Sequence, residues 1–239
     1  MFSVQCHYLL DRRSIGFISL FTIIAMAAVF AASGASLGKA ALDGDAVRQA
    51  LAYRSQSAQI MRFATVLIGV FLGLHSASRA QRRPAVFFIS ERSDMTKFAV
   101  WKLLAAIVIL ITFTAVLFLF YACVGTCLTP YFQLSETDGM ILVGIIDESI
   151  FFLLVQSFVT TLADSPFAAV PTVAFFWWLE ANATNASENA LVRYVLTIVR
   201  HRYFDLAGLA SAGDPLIQVG ALAILFLATV AVFTLTDLN

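Results

Sequence analysis

Three charged side chains sit where a chain of this kind does not normally place them. "GIIDESIFF" puts Asp147 and Glu148 inside an otherwise apolar run, and "QIMRFATVL" puts Arg62 inside another. A carboxylate or guanidinium at bilayer depth costs roughly 2.5–3.5 kcal/mol on translocon scales, so such groups pair, hydrate or work. Adjacent helical residues point about 100° apart. One lipid-facing line therefore cannot hold both acids, and at least one must meet a helix, a wet cavity or a partner. Arg62 is the candidate ion-pair partner. Two readings stay open: Asp147, Glu148 and Arg62 form a substrate or proton site, or the acids hydrate near the surface or are satisfied by Ser149, Gln156 or Arg62.

A second concentration of charge lies in "RAQRRPAVFFISERSDMTKFAVWK", residues 79–102. Arg79, Arg82, Arg83, Arg92 and Lys97 precede Lys102 there, against only Glu91 and Asp94. Retention in the cytoplasm and contact with anionic headgroups account for the charge. They leave unexplained why Val86, Phe87, Phe88 and Ile89 are interleaved with it. Residues 79–93 can form an amphipathic helix in the membrane interface, with Pro84 in its first turn, where a missing N–H costs little.

These residues are carried by a chain that is 60% hydrophobic and 13% charged, with 22 phenylalanines. Its mean hydropathy is +0.87. Soluble domains of this length run nearer one-half apolar and one-quarter charged, so the composition predicts an integral membrane protein. A spanning helix needs about 20 apolar residues. Six segments qualify or nearly so: 15–33, 60–78, 98–124, 140–163, 166–181 and 216–236. The fifth is short and holds Pro166 and Pro171, which predicts a kinked or part-spanning element. None shows the period-two alternation of barrel strands, so the expected fold is an all-α membrane protein with six transmembrane helices in one domain, 1–239. Arg12 and Arg13 before the first segment resemble a secretory signal, but its apolar stretch is long and reads as a retained span.

Basic residues orient the spans. Segments 1–14 and 79–97 carry them, whereas loop 125–139 holds Glu136 and Asp138 and no base, which places both termini inside. The outer loop 182–215 runs against this with Arg193, Arg200 and Arg202. It contains LVRYVLTIVRHRYF, amphipathic at helical spacing, expected to lie on the outer surface or fold back into the membrane. Trp177 and Trp178 suit an aromatic belt, and Asn182-Ala-Thr and Asn185-Ala-Ser read as glycosylation acceptors. Cys123 and Cys127 share a helix face and suit two small apolar residues better than a bridge. His7, His75 and His201 fall on separate segments, so no metal site is expected. A neutral net charge suggests no nucleic-acid partner.

The layout resembles the permease subunit of an ABC type-2 exporter. RAQRRP (79–84) takes the place of the family's charged cluster, VFFI (86–89) its apolar stretch, SERSDMTK (90–97) its turn, and WKLLA (101–105) its Gly-Lys entry to span three. VFTLTDLN (232–239) is similar to the family's Phe-x-x-x-Asp ending. The chain departs from the pattern at Gln81 for Glu, Arg83-Pro84 for Gly-Thr and Trp101 for Gly. The resemblance implies that 79–93 is a coupling helix docking on a separate ATPase subunit through Arg79, Arg82, Arg83, Val86, Phe87, Phe88, Glu91 and Arg92. It also implies an interfacial elbow at CHYLLDRRS (6–14), a second permease copy or sister permease, and a bacterial inner-membrane location. ATP and Mg would sit on the partner, since no G-x-x-x-x-G-K-[ST] loop occurs here.

Two other functions compete. One is a proton-coupled secondary transporter using Asp147 and Glu148, which no interrupted repeat supports. The other is a non-transporting assembly subunit. An intramembrane metalloprotease is disfavoured because the spans offer only His75 as a ligand. The Phe-rich spans lean toward amphiphilic cargo such as lipid, peptide or drug.

Overall fold

The computed structural model describes residues 9–43, 46–78, 92–129, 132–163, 165–183, 189–199 and 215–236. Among them all regular structure is helical: α1 (Arg12–Asp43), α2 (Ala46–Ala77), α3 (Arg92–Leu128), α4 (Glu136–Ala163), α5 (Ala169–Ala183), α6 (Ala190–Val199) and α7 (Pro215–Thr236). Five of these, α1, α2, α3, α4 and α7, are long and apolar enough to cross a membrane, as an integral membrane protein requires.

Helix α3 shows how the pattern becomes packing. Ala99, Leu103, Ala106, Leu110, Phe113, Leu117, Tyr121 and Val124 recur at intervals of three and four and are all buried. Val108, Ile111, Val116 and Leu119 between them are exposed. One stripe thus faces the bundle and the other faces what would be lipid. The centre is α2 against α4, the most extensive pairing, with α1, α3 and α7 around it. Within the apolar windows, 67% of α2 is buried but only 17% of α1 and 22% of α7. Helices α1 and α7 therefore form the rim.

Several boundaries differ from the sequence expectation. The stretch 34–59, expected as a loop, is helical at both ends: α1 runs to Asp43 and α2 starts at Ala46. Ala46, Arg48, Gln49, Ala50, Leu51 and Ala52 are mostly strong helix formers, and propensity prolongs the helix past the apolar run. Helix α4 begins at Glu136 rather than 140, because Ser135 and Asp138 form a capping pair. The Ser135 N–H and hydroxyl each donate to Asp138 Oδ2 at 2.9 Å.

The fifth apolar segment resolves into a 3₁₀ turn, Pro166–Ala168, and the 15-residue α5. Ser165 caps the turn, its hydroxyl accepting from the Phe167 N–H at 3.2 Å. Pro166 lies in the 3₁₀ turn and Pro171 in the first turn of α5, where neither breaks a helical hydrogen bond. The prolines thus start the element instead of kinking it. Asn189 caps α6, accepting from Leu191 N–H at 3.0 Å and Val192 N–H at 3.3 Å. Helix α6 turns Val192, Leu196 and Val199 inward onto Val66, Val70, Phe152, Phe176 and Leu179, a cluster separate from the main core. The amphipathic stretch of loop 182–215 folds back against the bundle, so far as residue 199.

Candidate functional site: a buried arginine–carboxylate layer

Arg62 lies sixteen residues into α2, and Glu148 twelve residues into α4. At 1.5 Å per residue these positions are roughly 24 and 18 Å from the helix starts, so the pair sits deep in the bundle. Arg62 Nε donates to Glu148 Oε2 at 2.6 Å, with side chains 1% and 0% exposed. Arg62 Nη2 also donates to Glu180 Oε1 on α5, whose side chain is 19% exposed. The guanidinium carbon lies 5.6 Å from the Phe63 ring centroid and 5.7 Å from that of Phe176. Cation–π attraction and a low dielectric strengthen the ion pairs there.

One turn further on, the Ser149 hydroxyl donates to Thr65 Oγ1 at 2.9 Å, which ties α4 to α2 again. The close approach depends on two glycines four apart on α2. A Cβ at Gly69 would stand 2.8 Å from the Ser149 carbonyl oxygen, and one at Gly73 2.6 Å from that of Leu153. Small residues at this spacing let helix backbones meet inside a membrane. The layer thus joins three helices by one guanidinium, over a glycine seam.

A second polar cluster closes the end where α2 and α4 begin. Arg54 donates to Asp138 through Nε at 2.8 Å and Nη2 at 3.1 Å, and Tyr121 Oη donates to Asp138 Oδ1 at 2.6 Å. The Tyr53 hydroxyl donates to the Tyr121 carbonyl at 2.8 Å, and the two rings stack at 5.3 Å. Gly125 leaves room for the Phe132 edge, which an added Cβ would meet at 2.5 Å. Asp138, expected in the outer loop 125–139, is buried in the first turn of α4 and engaged by Arg54, Tyr121 and Ser135. Tyr121→Phe should cost about 1.5–3 kcal/mol, as a hydrogen bond to a charged group is lost. Detergent-solubilised thermal or SDS unfolding would read this, and an unchanged midpoint would deny the cluster a structural role.

Of the residues singled out in the sequence, the structure brings Arg62 and Glu148 together, with Asp147 half-buried beside them. Arg79, Arg82, Arg83, Val86, Phe87, Phe88 and Glu91 lie outside the described residues. Arg92 opens α3, which places the start of that helix six residues earlier than expected. Cys123 and Cys127 are both exposed on α3. His75 Nε2 lies 3.2 Å from the Ser14 hydroxyl, joining α2 to α1. Among the described residues no group of three or more His, Cys, Asp or Glu could hold a metal ion. Trp177 and Trp178 are exposed on α5.

Sequence reasoning missed Glu180, although an isolated acid in "FFWWLEA" was a signal of the same kind as Asp147-Glu148. It missed the Arg54–Asp138 pair because both residues lay outside the apolar windows. The Gly69-x-x-x-Gly73 spacing was legible but carried no weight without a facing helix. Comparison with protein-family models, curated proteins and solved structures finds no match to this chain.

Proposed function

We propose that this chain is the permease subunit of an ATP-driven transporter whose ATPase is a separate chain. The observation that carries the reading is where the basic, aromatic-rich connector falls. It joins α2, one of the central pair, to α3 packed beside it, so a force on residues 79–91 would act on the packed centre through α2. An amphipathic segment there has the chemistry to dock: Phe87 and Phe88 for an apolar cleft, and arginines for acids on its rim. The proposed topology has six spans with both termini inside. Helix α5 with its 3₁₀ turn measures roughly 28 Å, close to the ~30 Å hydrocarbon core, and supports its count as a span. A bacterial inner membrane, a dimer of permeases and an amphiphilic cargo belong to the same reading.

Its test is co-purification in mild detergent. An ATPase subunit should accompany the wild type and be lost, tenfold or more, from Phe87→Asp/Phe88→Asp at unchanged folding. If the intact chain emerges alone under conditions that preserve such complexes, the reading fails. A second reading, proton-coupled transport, is favoured by Glu148 and Glu180 sharing one guanidinium. It predicts cargo uptake driven by an imposed proton gradient, without ATP.

A further inference from the structure

Beyond the Arg62 layer, two polar side chains are buried with no protein group to answer them. Gln156 of α4 is 0% exposed and Thr172 of α5 is 2% exposed. Among the described residues, neither Gln156 Oε1 nor Thr172 Oγ1 has a hydrogen-bond partner. Buried polar atoms are costly to leave unpaired, and two such atoms at one place point to a guest.

The two residues share one level of the bundle. Arg62 bridges Glu148 of α4 to Glu180 of α5. Four residues on along α4 and four back along α5, Phe152 and Phe176 meet edge to face with ring centroids 5.2 Å apart. Helices α4 and α5 are therefore antiparallel. The next step of the same register sets Gln156 opposite Thr172, about 6 Å further along each helix. Both lie on the facing stripes. Thr172, Phe176, Leu179 and Ala183 form the buried face of α5, while Glu148, Phe152, Gln156 and Thr160 recur at every fourth residue of α4, all buried.

The chemistry of the pair selects the guest. The Gln156 amide nitrogen donates to Thr160 Oγ1 at 2.8 Å, which leaves the amide oxygen as an acceptor. Thr172 offers a proton and two lone pairs. A cation would meet neutral oxygens and no carboxylate at this level, and an anion would face the lone pairs of the glutamine. A neutral group that both donates and accepts satisfies the two at once, as water does. Buried water takes about two to four polar partners. Its source is near, because α4 ends at Ala163, roughly 10 Å beyond Gln156.

We propose that Gln156 and Thr172 hold a bridging water, a hydrated site one aromatic layer away from the ion pairs. The Phe152 and Phe176 rings then separate that water from Glu148 and Glu180. That these rings are a barrier to a moving proton rests on the proton-coupled reading above; the water site itself does not.

X-ray radiolytic labelling of the purified full chain tests it, because ionised bound water oxidises neighbouring side chains that bulk solvent cannot reach. Phe152 and Phe176, at 0% and 1% exposure, should be oxidised in the wild type, while Phe113 in the buried stripe of α3 should not. Thr172→Val keeps the shape and removes the hydroxyl. It should cut oxidation of both rings about tenfold, and Gln156→Leu should do the same. No oxidation of these rings in the wild type, or oxidation that survives Thr172→Val, overturns the proposal. Labelling needs no proton gradient, so proton-coupled transport can fail while the site stands.

A double-mutant cycle gives an independent measure. Removing one partner strands the other, whereas replacing both by apolar groups of similar shape is nearly neutral. Each single variant should raise the unfolding constant in SDS–detergent mixtures about tenfold, and the double variant should not exceed the larger single effect. Single variants that leave the constant unchanged or lower it, with additive effects in the double, would mean a dry pair and overturn the proposal.

Discussion

Arg62→Leu is expected to be the most damaging single replacement of a charge in this protein, costing about 3–5 kcal/mol. Removing one partner of a buried ion pair leaves the other charge desolvated and uncompensated, and here two carboxylates lose the same guanidinium. Glu148 is fully enclosed, so its charge cannot recover hydration by moving outward. Glu180 is partly exposed, so Glu180→Gln should cost much less than Glu148→Gln. The decisive comparison is the combined replacement Arg62→Met, Glu148→Gln and Glu180→Gln. With no net charge left in the layer, most of the lost stability should return, although any dependence of transport on the layer would not. Reversible unfolding in SDS–detergent mixtures measures both. A triple variant as unstable as Arg62→Leu would show that the side chains matter for shape and not for charge.

Gly73→Leu should be comparably severe for a reason unrelated to charge. Even the first added atom would stand 2.6 Å from the Leu153 carbonyl oxygen and 2.8 Å from Gln156 Cβ. The first of these is backbone and cannot rotate away, so α2 and α4 must part along their whole seam. Overpacking in a well-filled core costs typically 1–3 kcal/mol and sometimes more. Separating the central helix pair also stretches Arg62–Glu148 and Ser149–Thr65, which places this variant at the upper end. Gly220 is the matched control, since a Cβ there meets nothing within 4 Å. Gly220→Ala should stabilise α7 by about 0.5–1 kcal/mol, because alanine loses less entropy in a helix. Equal effects of alanine at Gly73 and Gly220 would disprove the close seam.

The two sites differ in how they could be found. Arg62 and Glu148 were visible as charges in apolar runs, because hydrocarbon makes such placement costly wherever it occurs. Their pairing was expected on the same ground, and the bundle supplies it. The helix starts were not legible, since hydropathy marks the greasy middle of a helix and not its capped ends. Ser135 and Asp138 extend α4 outward, and alanine-rich turns extend α2.

Composition and the lengths of the apolar runs by themselves pointed to a helical membrane protein and picked out the five helices long enough to span, alongside a sixth, shorter segment. They did so because the bilayer demands internal backbone hydrogen bonding and an apolar exterior. Which helices meet was left to tertiary structure. Glu180 joins Arg62 across 118 residues, and Asp138 joins Arg54 across 84. Gly69 and Gly73 gain meaning only when the carbonyls of α4 come against them. Gln156 comes opposite Thr172 only when α4 and α5 pack antiparallel. Side-chain charge and helix length are local properties that a single chain displays in order. The partner of a charge depends on which helix packs opposite, and shape complementarity decides that only once the bundle has formed.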